Sequence, residues 1–538
     1  MIRQIRTRAA GSPWMPFAVV SSGLFMILLD ATALNVAQAS IRESLDASLA
    51  GIQWTIDAYL VALTVCLLAC GRLGDIVGRR RLFVAGIALF GGASVLCALA
   101  GPLAQALDLP AIRLLIGARV LQGIGAAGVL SQSLSLVAVA FPPERRGMAF
   151  GMASAIGSLA GIAGPLGGGF LTENLSWSWI FLINVPIGAA VIVAARVVPE
   201  SRDASASRRI DLAGIALSGV ALFALALGLI EAAHRGWGDS AVVGLLVGSA
   251  LLFGSFILWE RRASDPILKL DLLANRDFRI GNIAMACFNL GFYGLSLPLM
   301  VFLQNVRGLT PVEAGMVMAP SAAAVALTAP VGGRLSDRVG PRWVLLAGFG
   351  AMTAGVVVLA ALLDADTAPA VIAGAMAFVG LGVGFTVSQV NAVPMRAIPA
   401  GSMGAGSGLL NTTRMASVTL SVALMTSLLQ SQAASRAGDL LAGAGLSNGT
   451  NARVIAAVRD GRFDALAGTG SPAEQVTIAR LEAPLREAFA QGLSVAMLAA
   501  AVFLIAGIGT ALALRRQAAT EPAVAILARR LEPAAVGD

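Results

Sequence analysis

Gly71-Arg72-Leu73-Gly74-Asp75-Ile76-Val77-Gly78-Arg79-Arg80-Arg81 decides how this chain is read, because it returns later as Gly333-Arg334-Leu335-Ser336-Asp337-Arg338-Val339-Gly340-Pro341-Arg342. The shared pattern is Gly-Arg-Leu-x-Asp-x-x-Gly-x-Arg, with Gly333 262 positions after Gly71. Its glycines permit a sharp backbone bend, while Asp and Arg can pair and cap helix ends. One copy would pass for an ordinary basic loop. Two copies half a chain apart point to an internally repeated architecture.

The surroundings of both copies are apolar. The 538 residues are 57% hydrophobic and 13% charged, with mean hydropathy +0.82. A water-soluble domain carries about 25% charged residues, so a bilayer is the expected solvent. A spanning helix needs about 20 mainly apolar residues. Fourteen such runs are expected, near 17–37, 52–71, 82–101, 111–138, 147–170, 179–198 and 210–230, then 240–259, 279–304, 312–331, 343–362, 369–391, 404–430 and 488–514. The repeated loops fall between runs 2 and 3 and between runs 10 and 11. A secretory leader is the rival reading of residues 1–40, where Ala37-Gln38-Ala39 mimics a cleavage site, but Asp30 interrupts its apolar stretch.

Net charge is +8, and in a soluble protein it would suggest nucleic acid. Its distribution says otherwise. With both termini placed in the cytoplasm, 26 of the 38 basic residues fall on the inner side, beginning with Arg3, Arg6 and Arg8. That asymmetry is the positive-inside rule, and no nucleic-acid partner is expected. Lys269, the one lysine, lies between Leu268 and Leu270, so no ATP-binding Gly-Lys-Ser/Thr step exists. Cys66, Cys70, Cys97 and Cys287 lie in apolar runs and show no metal-ligand spacing. His234 sits in an outer loop, as a solvated residue.

The paired loops resemble the inner-loop motif of the major facilitator superfamily. Fourteen spans with two extra helices between six-span halves resemble its fourteen-span drug/proton antiporter family. The resemblance covers the chain to about residue 514. It implies an all-α integral membrane protein of two six-helix bundles around a central cavity open to each side in turn. The divisions expected are a cytoplasmic N-terminus 1–16, a first bundle 17–204, inserted helices 205–260, a second bundle 261–514 and a cytoplasmic tail 515–538. An outer segment at 431–487 carries Ser471-Pro472-Ala473-Glu474, a capping box with Pro at the first helical position, and so predicts a surface helix running into the last span. This segment reads as a connector, with outer gating or partner contact as the other readings.

Charges inside the spans carry the chemistry. Asp30, in Leu29-Asp30-Ala31-Thr32-Ala33-Leu34-Asn35, is similar to the family's first-helix motif. A carboxylate at membrane depth costs several kcal/mol unless it is protonated, paired or facing a wet cavity. It reads as a proton-coupling group, or as a structural carboxyl tied to a helix end. Arg119, in Arg119-Val120-Leu121-Gln122-Gly123-Ile124-Gly125, resembles the family's span 4 motif. It lies roughly 12 Å from the outer end of its span and Asp30 roughly 11 Å from the outer end of its own, so the two depths match. Modulating that carboxylate is one role for Arg119; snorkelling to the interface is the other. Asp57 has two readings, a second proton or cation site or an interfacial carboxylate.

Gly157, Gly161, Gly164 and Gly168 recur at three- and four-residue steps around Pro165, forming one small-residue stripe where a neighbouring helix can approach closely. The pattern looks like the family's antiporter motif, which marks exporters. Trp177-Ser178-Trp179-Ile180-Phe181-Leu182-Ile183-Asn184-Val185-Pro186-Ile187-Gly188 resembles the start of its span 6, with Ser178 where the family has Arg. Phe25, Gln122, Asn289, Tyr293 and Arg414 are the cavity candidates. Gly71, Asp75, Gly78, Arg79, Gly333, Asp337 and Gly340 are the conformational ones. The expectation is no enzyme and no cofactor but a monomeric, proton-driven exporter of cationic or neutral lipophilic molecules in a bacterial cell membrane. The alternatives are a proton-coupled metabolite importer, which reverses the direction, and a non-transporting assembly partner.

Overall fold

The computed structural model describes residues 12–514 except 48, 143–144, 203–210, 264–270, 399–402 and 467. Arg3, Arg6, Arg8, Lys269 and the tail 515–538 lie outside the described residues. Fourteen long helical segments organise the described chain. They are α1 (Trp14–Ser44), α2 (Leu49–Val77), α3 (Arg79–Ala98), α4 (Ala111–Ala140), α5 (Arg146–Asn174), α6 (Ser178–Val197) and α7 (Leu212–Arg235). There follow α8 (Ser240–Glu260), α9 (Arg276–Val301), α10 (Pro311–Val339), α11 (Pro341–Leu362), α12 (Pro369–Arg396), α13 (Met403–Leu441) and α14 (Pro472–Ala513). Twelve are long and apolar enough to cross a membrane; α5 and α13 are not among those twelve.

Local chemistry sets several boundaries. Gly78 and Gly340 adopt φ of 119° and 89°, a region that favours glycine, and each ends one helix and starts the next. Asp239 and Asn275 cap α8 and α9 through backbone amides of their first turns. Pro298 lies inside α9, and the helix leaves regular geometry soon after, in a π-helical turn over Phe302–Val306. The predicted capping box is present: Ser471 N–H donates to Glu474 Oε2 at 2.7 Å, and Glu474 N–H returns to Ser471 Oγ. It starts α14 sixteen residues before the apolar run at 488–514. Likewise α13 runs eleven residues beyond residue 430, and with the short helix Asn448–Arg459 these extensions make the 431–487 segment largely helical. The segment packs on α13, α14 and the Phe302–Val306 turn.

The sequence repeat has a packing counterpart. In the first six helices α1 packs on α4, α5 and α6, α2 on α4, and α3 on α4 and α6. The last six repeat these pairings: α9 on α12, α13 and α14, α10 on α12, and α11 on α12 and α14. The most extensive contacts between the sets are α5 with α10 and α2 with α13, joined by those of α5 with α12 and α4 with α13, and a two-fold relation exchanges them. Between the sets, α7 and α8 pack on each other, and α7 lies against both α2 and α13.

Candidate functional site

Two clusters hold the functional candidates. The first is buried inside the first six helices. Asp30 on α1 and Arg119 on α4 form an ion pair with Nη1 2.7 Å from Oδ2, each side chain no more than 1% exposed. Arg119 thus points inward, and snorkelling is excluded. Its Nε donates to the Thr55 carbonyl on α2 at 3.1 Å and Nη1 also donates to Gln122 Oε1 at 2.8 Å. The guanidinium stacks 4.2 Å from the Tyr59 ring centroid. An unpaired cation at the bilayer centre costs about 2.5–3.5 kcal/mol on insertion scales; here a carboxylate, a carbonyl, an amide oxygen and an aromatic face meet it.

Asp30 gathers further donors. Asn184 on α6 donates from Nδ2 to Asp30 Oδ1 at 2.7 Å, and Gln122 Nε2 donates to the same oxygen at 3.4 Å and to Ser94 Oγ on α3 at 2.7 Å. Asn184, Ser94 and Tyr59 were not singled out in the sequence. Their signal was faint: single polar groups in apolar runs, whose convergence on Asp30 depends on five helices meeting. Gln122, a cavity candidate, is fully buried in this network. Asp57 is buried on α2, two residues beyond Thr55.

The second cluster is at the end of the molecule that carries the repeated loops. Asp75 is fully buried; Oδ1 accepts from Arg79 at 2.7 Å and Oδ2 accepts from the backbone N–H of Ala405, at the start of α13, at 2.8 Å. Asp337 does the equivalent on the other side. Its Oδ2 accepts from the backbone N–H of Met148, at the start of α5, at 3.3 Å, and its Oδ1 pairs with Arg396 at the end of α12. Both carboxylates therefore sit at the N-terminus of a helix from the opposite set, where the helix dipole favours negative charge. The arginines differ because Pro341 stands where Arg79 would recur. Arg79 also donates to Ser201 Oγ at 2.7 Å, and the Arg80 amide donates to Glu200 at 3.1 Å, tying the loop to the segment after α6.

The helices cross closely here. A Cβ on Gly408 would meet Gly71 Cα at 3.1 Å, and one on Gly147 would meet the Gly333 carbonyl at 2.8 Å. The α5 stripe packs against α1, not uniformly: Gly168 lies 3.0 Å from Ala33 by the same measure and Gly164 against Thr32, while Gly157 has only the Leu28 side chain and Gly161 has open space. The backbone of α5 runs unbroken through residue 165.

The other cavity candidates separate. Phe25 lines a hollow of about 510 Å³ with Trp14, Phe17, Ser21, Met152 and Ile156, between α1 and α5. Asn289 and Tyr293 lie on α9, where Phe288 and Phe292 stack with centroids 5.9 Å apart and the Tyr293 ring meets both edge-on. Arg414 on α13 donates from Nη2 to Asn391 Oδ1 on α12. Asn289 Nδ2 donates to Ser417 Oγ at 2.9 Å.

Known proteins are similar to this chain in sequence and in fold. The chain is 33% identical over 431 residues to the tetracenomycin C resistance and export protein of Streptomyces glaucescens, covering 80% of this chain and 78% of that one. It is 34% identical over 408 residues to the multidrug resistance protein Stp of Mycobacterium tuberculosis, covering 76% and 74%. The fold superposes on the proton:xylose symporter XylE with a TM-score of 0.57 at 13% identity, over 92% of this chain and 96% of that one. The family profile of the Major Facilitator Superfamily matches residues 20–422. With twelve apolar spanning candidates and bacterial relatives of this kind, the chain belongs to the Major Facilitator Superfamily and is a multi-pass transporter of the cell membrane, not an enzyme.

Proposed function

We propose that the protein is a fourteen-span drug/proton antiporter that expels lipophilic small molecules by alternating access, as a monomer, driven by the proton gradient without ATP or another cofactor. The observation that carries this reading is the buried Asp30–Arg119 pair and the hydrogen bonds that converge on it. A proton arriving on Asp30 cancels the pair, yet Arg119 keeps the Thr55 carbonyl, the Gln122 oxygen and the Tyr59 ring. Both charge states are thereby supported inside a low-dielectric core. Asp57 stands beside this site as a weaker second candidate. A relative named for resistance and export supports the direction of transport.

The span count adds α5 and α13 to the twelve. Each packs against several neighbours, and glycines such as Gly164 and Gly168 on α5 meet protein. The divisions follow as bundles 17–204 and 261–514 with the pair 205–260 inserted, and both termini in the cytoplasm. On this placement the repeated loops are cytoplasmic and the carboxylate caps at Ala405 and Met148 hold that side shut. The α5 glycines let the halves rock against that latch.

Inside-out vesicles test the reading. An exporter accumulates an amphiphilic dye when the lumen is acidified and not when the gradient is collapsed. Uptake with the reversed gradient would instead indicate import.

A further inference from the structure

We propose that Arg414 is the anion-recognition point of the transport path, so that the molecules exported are lipophilic acids, carboxylates or phenolates, rather than cations. The proposal rests on the export reading and sharpens its substrate class.

Arg414 lies eleven residues past the start of α13, about 16 Å along the helix and so near the middle of a hydrocarbon core about 30 Å thick. An arginine side chain cannot snorkel to either interface from there. Among the described residues no Asp or Glu carboxylate lies within 4.0 Å of it, and its recorded side-chain hydrogen bond is to the neutral Asn391 amide. The contrast with Arg119, which has a carboxylate, a carbonyl, an amide and an aromatic face, is complete. The Arg414 side chain also remains partly accessible. Its five-donor fork is therefore a cation awaiting a partner.

The surroundings suit an aromatic acid. Tyr293, 39% exposed, is within electrostatic reach of the guanidinium and belongs to the Phe288–Phe292–Tyr293 aromatic group. A planar carboxylate or phenolate would take the fork in charge-assisted bonds while its rings met these aromatic faces. A cationic substrate meets the same aromatic faces but is repelled by the guanidinium. In the second set of helices Asp337 is already committed to Arg396.

The test compares two dyes, anionic fluorescein and permanently cationic ethidium, in inside-out vesicles carrying wild type, Arg414→Gln or Arg414→Lys. Wild type is expected to prefer fluorescein. Arg414→Gln should lose about tenfold or more of its fluorescein uptake, the effect of removing one charged hydrogen-bonding partner, without losing ethidium uptake. Arg414→Lys should recover part of the fluorescein uptake. A variant that fails to fold shows itself as absent from the membrane fraction, in which case Arg414→Lys and the wild-type dye preference decide the matter. Equal loss of both dyes by a folded Arg414→Gln, unchanged fluorescein uptake, or a wild-type preference for ethidium overturns the proposal and leaves export standing. Transport of neither dye by wild type under an acidic lumen removes the export reading and this proposal together.

Discussion

The Asp75 carboxylate accepts a 2.8 Å hydrogen bond from the backbone N–H of Ala405, 330 residues away in sequence and in the opposite six-helix set. Asp337 has the same relation to Met148. Each capping contact closes one of the two seams between the sets, and each is charged, directional and buried or half-buried. Such a bond can break and re-form as a unit while the helices themselves stay rigid.

Asp75→Asn keeps the shape and removes the charge. A charge-assisted cap of this kind contributes about 0.5–2 kcal/mol, so the substitution should open the loop end more often. Cys70, buried on α2 near the Gly71–Gly408 crossing, reports it. With the other cysteines replaced, a permeant maleimide should label Cys70 several-fold faster in Asp75→Asn than in the parent. Unchanged labelling would remove the latch from the argument.

Asp30→Asn should abolish gradient-driven accumulation, a fall of tenfold or more, while downhill substrate exchange persists. Arg119→Lys should fall as well, because an ammonium cannot reproduce the fork to Asp30 and Thr55 or the stacking on Tyr59. Both are read in vesicles with and without an imposed pH gradient. Full gradient-dependent transport by Asp30→Asn would sink the coupling role.

Gly164→Ala and Gly161→Ala separate packing from motif membership. The first places a methyl on the Thr32 hydroxyl; the second meets open space. Overpacking costs typically about 1–3 kcal/mol, so Gly164→Ala should lower the thermal midpoint of the purified protein and its transport, and Gly161→Ala should leave both near wild type. Equal effects would show that the stripe acts through something other than contact with α1.

Asn184→Ala should destabilise the protein by about 1–3 kcal/mol, since it strips a buried charge of a donor. Its effect should be non-additive with Asp30→Asn, because the two side chains share one network. A double-mutant cycle on thermal stability measures this. Strict additivity would mean that Asn184 does not serve Asp30.

Much of this was legible in one dimension because the relevant signals are periodic or duplicated. Apolar runs of bilayer length and the recurrence of Gly71–Arg81 at Gly333–Arg342 sufficed for a repeated helical membrane protein. The matching depths of Asp30 and Arg119 make their pairing one of the two readings the sequence allows, with snorkelling of Arg119 the other. The cap at Ser471 was readable too, because all its groups lie within four residues.

What only the tertiary structure decided are relations between groups that carry no shared signature. Ala405 and Met148 meet their carboxylates through backbone amides, which every residue but proline possesses. Asn184 and Ser94 are single polar letters in apolar helices, and only the convergence of α1, α3, α4 and α6 makes them Asp30's neighbours. Gly161 and Gly164 look alike on one stripe until α1 is laid against it. Arg119 and Arg414 are both arginines deep within apolar spans; the carboxylate of Asp30 meets the first, and no carboxylate among the described residues lies near the second.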